Sequence, residues 1–229
     1  MYRELVTDVF FDLDHTLCDF EKNSALTFEK IFKDHGIDLE LELFLNEYRP
    51  VNLEFWKLYR ENKIEKEALR YQRLRKVFDR VNYPVEDAVI NSLAHAYIEY
   101  LSTHGNLLPY TREILDYLKP RYRMHIITNG FEEVQMKKLH NAGISAYFDQ
   151  IINSEMAGVK KPNPIIFQLA LARTMVLPQH AVMVGDNLEA DILGARAMGI
   201  HTIHLNVHGD PFHEHGEIIH HLSEIKSFL

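Results

Sequence analysis

Five short apolar runs limit what this chain can become. Val9-Phe10-Phe11, Met124 to Thr128, Phe148 to Ile152, Ala181 to Gly185 and Ile200 to Leu205 are each long enough for a buried strand and too short for a helix. From Gly105 onward they alternate with segments of helical spacing. Glu113 to Leu118 is one, and Glu132 to Ala142, closed by Gly143, is another. Ile165 to Arg173, opened by Pro162 and Pro164, and Ile192 to Met198 complete the set. Repeated strand–helix units of this length predict an α/β fold: a parallel sheet in three layers, with right-handed crossovers.

Between the first run and the second the strand pattern vanishes. Helical spacing carries one helix from a Ser24 N-cap through Phe28, Ile31 and Phe32 to Gly36. A second holds Phe44, Leu45 and Tyr48 and ends before Pro50, and a third takes in Phe55, Trp56 and Tyr59. A fourth presents Ile64, Ala68, Tyr71, Phe78 and Val81, and a fifth spans Val89 to Leu101. The expected division is therefore a core from residues 1–17 and 105–229, with a helical insert over 18–104.

Hydrophobic residues make up 46% of the 229, enough for one large core or one core with a smaller attached domain. The net charge of −8 argues against a nucleic-acid polymer as partner. Cys18 is alone, so no internal disulfide forms, which suits a reducing cytosol. No signal peptide is visible, and no run reaches the roughly 18 apolar residues of a membrane span. The expectation is a soluble, cytoplasmic protein, monomer or homodimer. Histidines crowd the C-terminal part: His204, His208, His213, His215, His220 and His221. Their spacing fits no metal site, and they read as solvated surface.

The chemistry lies where the apolar runs stop. Asp12 and Asp14 end the first, and alternate side chains on a strand share a face. A buried carboxylate pair repels itself unless a cation, a proton or solvent intervenes. Thr128-Asn129-Gly130 follows the second run and precedes a helix, a natural cradle for a phosphoryl group. Lys160-Lys161-Pro162 follows the third, where a lysine balances acidic charge or holds an anion. Gly185-Asp186 and Asp191 follow the fourth. Four strand ends on one sheet edge thus carry two aspartates, a threonine, a lysine and two more aspartates. Open α/β sheets bind ligands at that edge. Hard oxygen ligands without cysteine point to Mg²⁺, completed by water and substrate phosphate.

Asp12-Leu13-Asp14-His15-Thr16, Thr128-Asn129-Gly130, Lys161-Pro162 and Gly185-Asp186 with Asp191 resemble, in order, the four motifs of the haloacid dehalogenase-like (HAD) hydrolase superfamily. The resemblance implies a Rossmann-like core, and the helical insert looks like that superfamily's small first-class cap. Thr128 to Phe131 and Gly158 to Phe167 look like the branch that dephosphorylates pyrimidine and other nucleoside monophosphates. It implies that Asp12 attacks phosphorus and that Asp14 acts as general acid and then base, its surroundings favouring the protonated form. Mg²⁺ would be held by Asp12, the Asp14 main-chain carbonyl and Asp186, with Asp191 nearby. Lys161 would steady Asp12 and the phosphoryl oxygens, which Thr128, Asn129 and Gly130 would also bind.

The implied activity is an Mg²⁺-dependent phosphatase acting on a small phosphorylated metabolite. A phosphosugar mutase or sugar-phosphate phosphatase is the enzymatic alternative, and a catalytically silent binding module the non-enzymatic one. In the insert, Asn52, Trp56 and Arg73 are the candidate substrate contacts. The rest of the basic run, Arg70, Arg75, Lys76 and Arg80, reads as a solvated helix face.

Overall fold

A computed structural model of the protein describes residues 2–229. By compactness the chain falls into two units: the chain up to Phe20 together with Gly105–Leu229, and Glu21–His104.

The larger unit is built on a six-stranded, wholly parallel sheet. Its strands are β1 (Asp8–Phe11), β2 (Arg123–Thr128), β3 (Gln150–Asn153), β4 (Ala181–Gly185), β5 (His201–Leu205) and β6 (Glu217–Ile219), in the order β3-β2-β1-β4-β5-β6. Both faces are covered, which is why β4 reads as an unbroken apolar run and Val9-Phe10-Phe11 follows Asp8 in β1. Val9, Phe11, Met124, Ile126, Val182 and Val184 pack into one core, against Ile114, Leu115, Leu118 and Leu139. Phe10, Ile127, Ile152 and Met183 pack into the other, with Ile166, Phe167 and Ala170. The period-two alternation of neighbouring residues between two cores makes the three layers.

Strand β1 lies at the centre, where the order reverses between β1 and β4. Asp8 begins it, buried against His125 Nε2 and Arg123 Nη2, both 2.9 Å away. Burial alone would raise that carboxyl's pKa, but His125, Thr7 and Arg123 hold it below the usual range. One residue past the other end, the Asp12 amide still donates to Val184 O at 2.9 Å, so the ladder delivers Asp12 to the switch point.

The helices of this unit are α5 (Thr111–Leu118), α6 (Glu132–Asn141), the short α7 (Ser154–Ala157), α8 (Pro164–Thr174) and α9 (Gly194–Ala197), the last preceded by a π-helical turn at Leu188–Leu193. That turn begins four residues before the helix predicted from Ile192. Asn187 caps it, its Oδ1 accepting from the Ala190 amide at 2.8 Å. Among the elements that escaped sequence reading are α7, β6 and a final 3₁₀ turn at Leu222–Ser227 that buries Leu222 and Ile225.

The smaller unit contains α1 (Phe20–Asp34, from its second residue), α2 (Leu41–Arg60), α3 (Lys66–Arg80) and α4 (Asp87–Leu101). Two expectations are corrected here. Ser24 is not an N-cap: it lies inside α1, with its hydroxyl 2.9 Å from the Tyr97 hydroxyl. Pro50 does not end a helix: α2 runs straight through it, so the insert has four helices rather than five. Phe44, Leu45, Tyr48, Val51, Asn52, Phe55 and Tyr59 form one buried stripe across that proline, whose ring is exposed. Burying such a stripe, at about 1.5–3 kcal/mol per large side chain, outweighs the roughly 3 kcal/mol cost of an interior proline. Phe28, Phe32, Phe44, Tyr48, Phe78 and Tyr97 make an aromatic core around it.

Candidate active site

Asp12, Asp186 and Asp191 converge. Each offers a carboxylate oxygen within 4.8 Å of the others, and all three are buried. Asp12 comes from the end of β1, Asp186 from the residue after β4, and Asp191 from the π-helical turn beyond it. The close approach of Asp191 needs Gly185, where a Cβ would fall 2.3 Å from Asp191 Oδ2. The Asn187 amide fixes that same oxygen at 3.0 Å.

Lys161, 1% exposed, is set among these carboxylates. Its Nζ reaches Asp12 Oδ1, Asp191 Oδ1 and Ile127 O, each at 2.6 Å, which uses all three ammonium donors. One cation among three buried acids leaves a net deficit of positive charge. Burial, with the Asp191 and Asp186 carboxylates close by, pushes the Asp12 pKa well above the carboxylate range despite Lys161. Burial raises Asp191 as well. Burial works against the charged Lys161, but Asp12 and Asp191 outweigh it and keep its pKa high. An all-oxygen, buried, under-neutralised set suits a hard divalent cation.

Asp186 behaves differently. Burial alone would raise it, yet His208, His15 and Thr16 hold it below the usual range. Thr16 Oγ1 donates to its Oδ1 at 3.0 Å, and His208 Nε2 lies 2.7 Å from its Oδ2. Thr16 gets there because the chain turns sharply at His15, whose φ of 63° is unusual for a side-chain-bearing residue.

Asp14 has its carboxylate outside the acidic trio. Oδ1 takes Lys138 Nζ at 2.6 Å and Oδ2 takes Gln135 Nε2 at 3.0 Å, both from α6. Burial raises its pKa, but Lys138 and Gln135 more than reverse that and hold it low. The expectation that its surroundings favour the protonated form is therefore corrected: in the free protein Asp14 is an ionised partner of Lys138.

The Thr128-Asn129-Gly130 turn is occupied in ways the sequence did not announce. Asn129 clamps the Lys161 main chain, accepting from Lys161 N at 2.7 Å and donating to Lys161 O at 3.0 Å. Gly130 N donates to Thr128 Oγ1 at 3.0 Å. Gly130 also leaves room for Gln135, whose amide would overlap any Cβ there.

Asn52 and Arg73 meet inside the smaller unit. Arg73 is 2% exposed and donates through Nη1 to Asn52 Oδ1 at 2.8 Å, its guanidinium 4.8 Å from the Tyr97 ring centroid. Arg70 is buried too, and Arg75 and Lys76 are half-buried, so of the basic run read as a solvated face only Arg80 is exposed. Trp56 is half-buried, edge-on to Tyr59. The solvated-surface reading of the histidines also fails in part. His204 is fully buried, with Nε2 3.0 Å from Asp186 O and Nδ1 2.8 Å from His213 Nε2.

Gln135, Lys138 and His208 were missed. Gln135 and Lys138 carried a faint signal, being three apart on the helix after the threonine motif and so on one face. His208 lay just beyond a predicted strand end, hidden among its neighbours.

A family model described as haloacid dehalogenase-like hydrolase matches residues 9–199, a span that includes all four strand-end clusters. The chain belongs to this family. Among its HAD relatives, the pyrimidine 5'-nucleotidase YjjG of Escherichia coli is 34% identical over 201 residues, 87% of this chain and 86% of the relative. A glyceraldehyde 3-phosphate phosphatase of Methanothermobacter thermautotrophicus is 33% identical over 205 residues, 86% and 84% of the two chains. The HAD-hydrolase YfnB of Bacillus subtilis, in a crystal structure bound to magnesium, superposes with a TM-score of 0.88 at 25% identity, covering 98% and 99% of the two chains. Among the described residues no helix is long and apolar enough to cross a membrane.

Proposed function

We propose that this HAD hydrolase is an Mg²⁺-dependent phosphatase that removes the phosphoryl group of small monoesters through an aspartyl-phosphate. The observation that carries the reading is the buried trio of Asp12, Asp186 and Asp191 with Lys161 bound to two of its members. Asp12, the Asp14 main-chain carbonyl and Asp186 would hold the metal, with Asp191 in support. When bound, Mg²⁺ neutralises charge on the transferred phosphoryl group.

The chain's own residues do the rest. Lys161 anchors Asp12 Oδ1, so the other Asp12 oxygen is the one aimed at phosphorus. Its attack forms the Asp12–phosphorus bond as the phosphorus–leaving-oxygen bond breaks, and Asp14 gives that oxygen a proton. Asp14 starts ionised, so it takes up that proton from solvent when the arriving phosphate dianion offsets the charge of Lys138. It then removes a proton from water, which attacks phosphorus and releases phosphate and Asp12.

For the substrate we propose nucleoside 5'-monophosphates, supported by the 34% identity to a pyrimidine 5'-nucleotidase. A sugar-phosphate phosphatase is the second reading, favoured by nearly equal identity to a glyceraldehyde 3-phosphate phosphatase. The helical insert, acting as cap, would choose between them.

The decisive experiment pairs Asp12→Asn with metal removal. The variant should fold and keep under about a hundredth of wild-type kcat. EDTA should abolish activity and Mg²⁺ restore it. Retained turnover in the variant would end the covalent reading, and full activity in metal-free buffer would end the metal reading.

A further inference from the structure

After β5 the chain makes a tight excursion back toward the acidic trio. Asn206 closes it at both ends: its Nδ2 donates to Asp210 O and its Oδ1 accepts from the Asp210 amide, each at 2.8 Å. Gly209, at φ 74°, completes the turn. His208 sits on this small loop with Nε2 2.7 Å from Asp186 Oδ2, and the His15 ring meets its own edge-on at 5.2 Å.

Asp186 is thereby fixed at three points. Thr16 donates to Oδ1, His208 to Oδ2, and His204 Nε2 donates to the main-chain oxygen. The last assignment fits the next contact, where His204 Nδ1 accepts from His213 Nε2. Each carboxylate oxygen has two lone pairs, so one hydrogen bond apiece leaves each able to bind a cation. His208 is not a member of the converging ligand set itself.

We propose that His208 is a positioning residue for metal binding: it orients the Asp186 carboxylate through Oδ2 and so sets the affinity of the site for Mg²⁺. This rests on the metal reading above. Partners that orient a metal-ligating group typically contribute about 10–100-fold in metal affinity.

The test is Mg²⁺ titration by calorimetry on the whole protein without substrate, comparing wild type with His208→Ala, His208→Gln and, as a control at an exposed histidine, His140→Ala. Melting of the metal-free proteins is followed in parallel. His208→Ala should weaken Mg²⁺ binding about tenfold or more. His208→Gln, which keeps a donor, should stay within about threefold. Unchanged or tighter binding in His208→Ala would overturn the proposal, as would equal losses in the alanine and glutamine variants. A Zn²⁺ titration guards against one confusion: a loss confined to Zn²⁺ would make His208 a direct nitrogen ligand and also overturn it. Failure of the wild type to bind Mg²⁺ would instead sink the metal reading itself.

Discussion

Lys138 and Gln135 show what a single side chain can hide. Asp12, Asp14, Thr128, Lys161, Asp186 and Asp191 were legible because each ends an apolar run or lies in the segment just after one, where residue type and position together imply a site. Lys138 ends nothing. It becomes visible only when α6 packs and sets its ammonium 2.6 Å from Asp14. Its effect is testable through pH. Lys138 stabilises the Asp14 carboxylate, so removing the cation raises the Asp14 pKa and lets the protonated form persist to higher pH. In Lys138→Met, the alkaline limb of kcat for an alkyl phosphate, which reports the enzyme–substrate complex, should move to higher pH. In Asp14→Asn that limb should vanish, with p-nitrophenyl phosphate, a better leaving group, harmed less. A limb that does not move in Lys138→Met would mean that another group controls it.

Elements were easier to foresee than their ends. Strand β4 announced itself because burial on both faces removes polar residues from the run, while β1, β2 and β5 were legible although Asp8, His125, Thr202 and His204 are buried within them. The three-residue β6 is too short to leave a pattern. Pro50 misled for a physical reason: a local rule about proline lost to the tertiary burial of the stripe that crosses it. If that account is right, α2 tolerates the proline at a cost. Pro50→Ala restores an amide donor and removes a clash worth about 3 kcal/mol. It gives back roughly 0.4–1 kcal/mol by loosening the unfolded chain. The net expectation is about 2 kcal/mol of added stability, seen as a melting temperature several degrees higher. A lower or unchanged melting temperature would show that α2 accommodates Pro50 at no net cost.

At the scale of the whole molecule, chemistry and choice of substrate separate along the chain. All four motifs lie in the larger unit, while Glu21–His104 contributes no member of the acidic trio. Two relatives that differ in substrate, a nucleotidase and a triose-phosphate phosphatase, are 34% and 33% identical to this chain, so overall similarity cannot choose between them. The helical unit is where a choice can be built, and two of its residues make the test sharp. Trp56 is half-buried, so trimming it to alanine should spare the core. Arg73 is buried with the neutral Asn52 as its hydrogen-bond partner, and Arg73→Met keeps its bulk without the charge. A buried charge that serves packing alone can be replaced by an apolar side chain at little cost in stability. If both residues instead select a nucleoside, each variant should fold while kcat/KM for nucleoside monophosphates falls at least about tenfold, roughly 1.4 kcal/mol. Turnover of p-nitrophenyl phosphate should fall much less. A uniform loss on every ester, or none on any, would place both residues in the packing of the helical unit and move the search for specificity elsewhere.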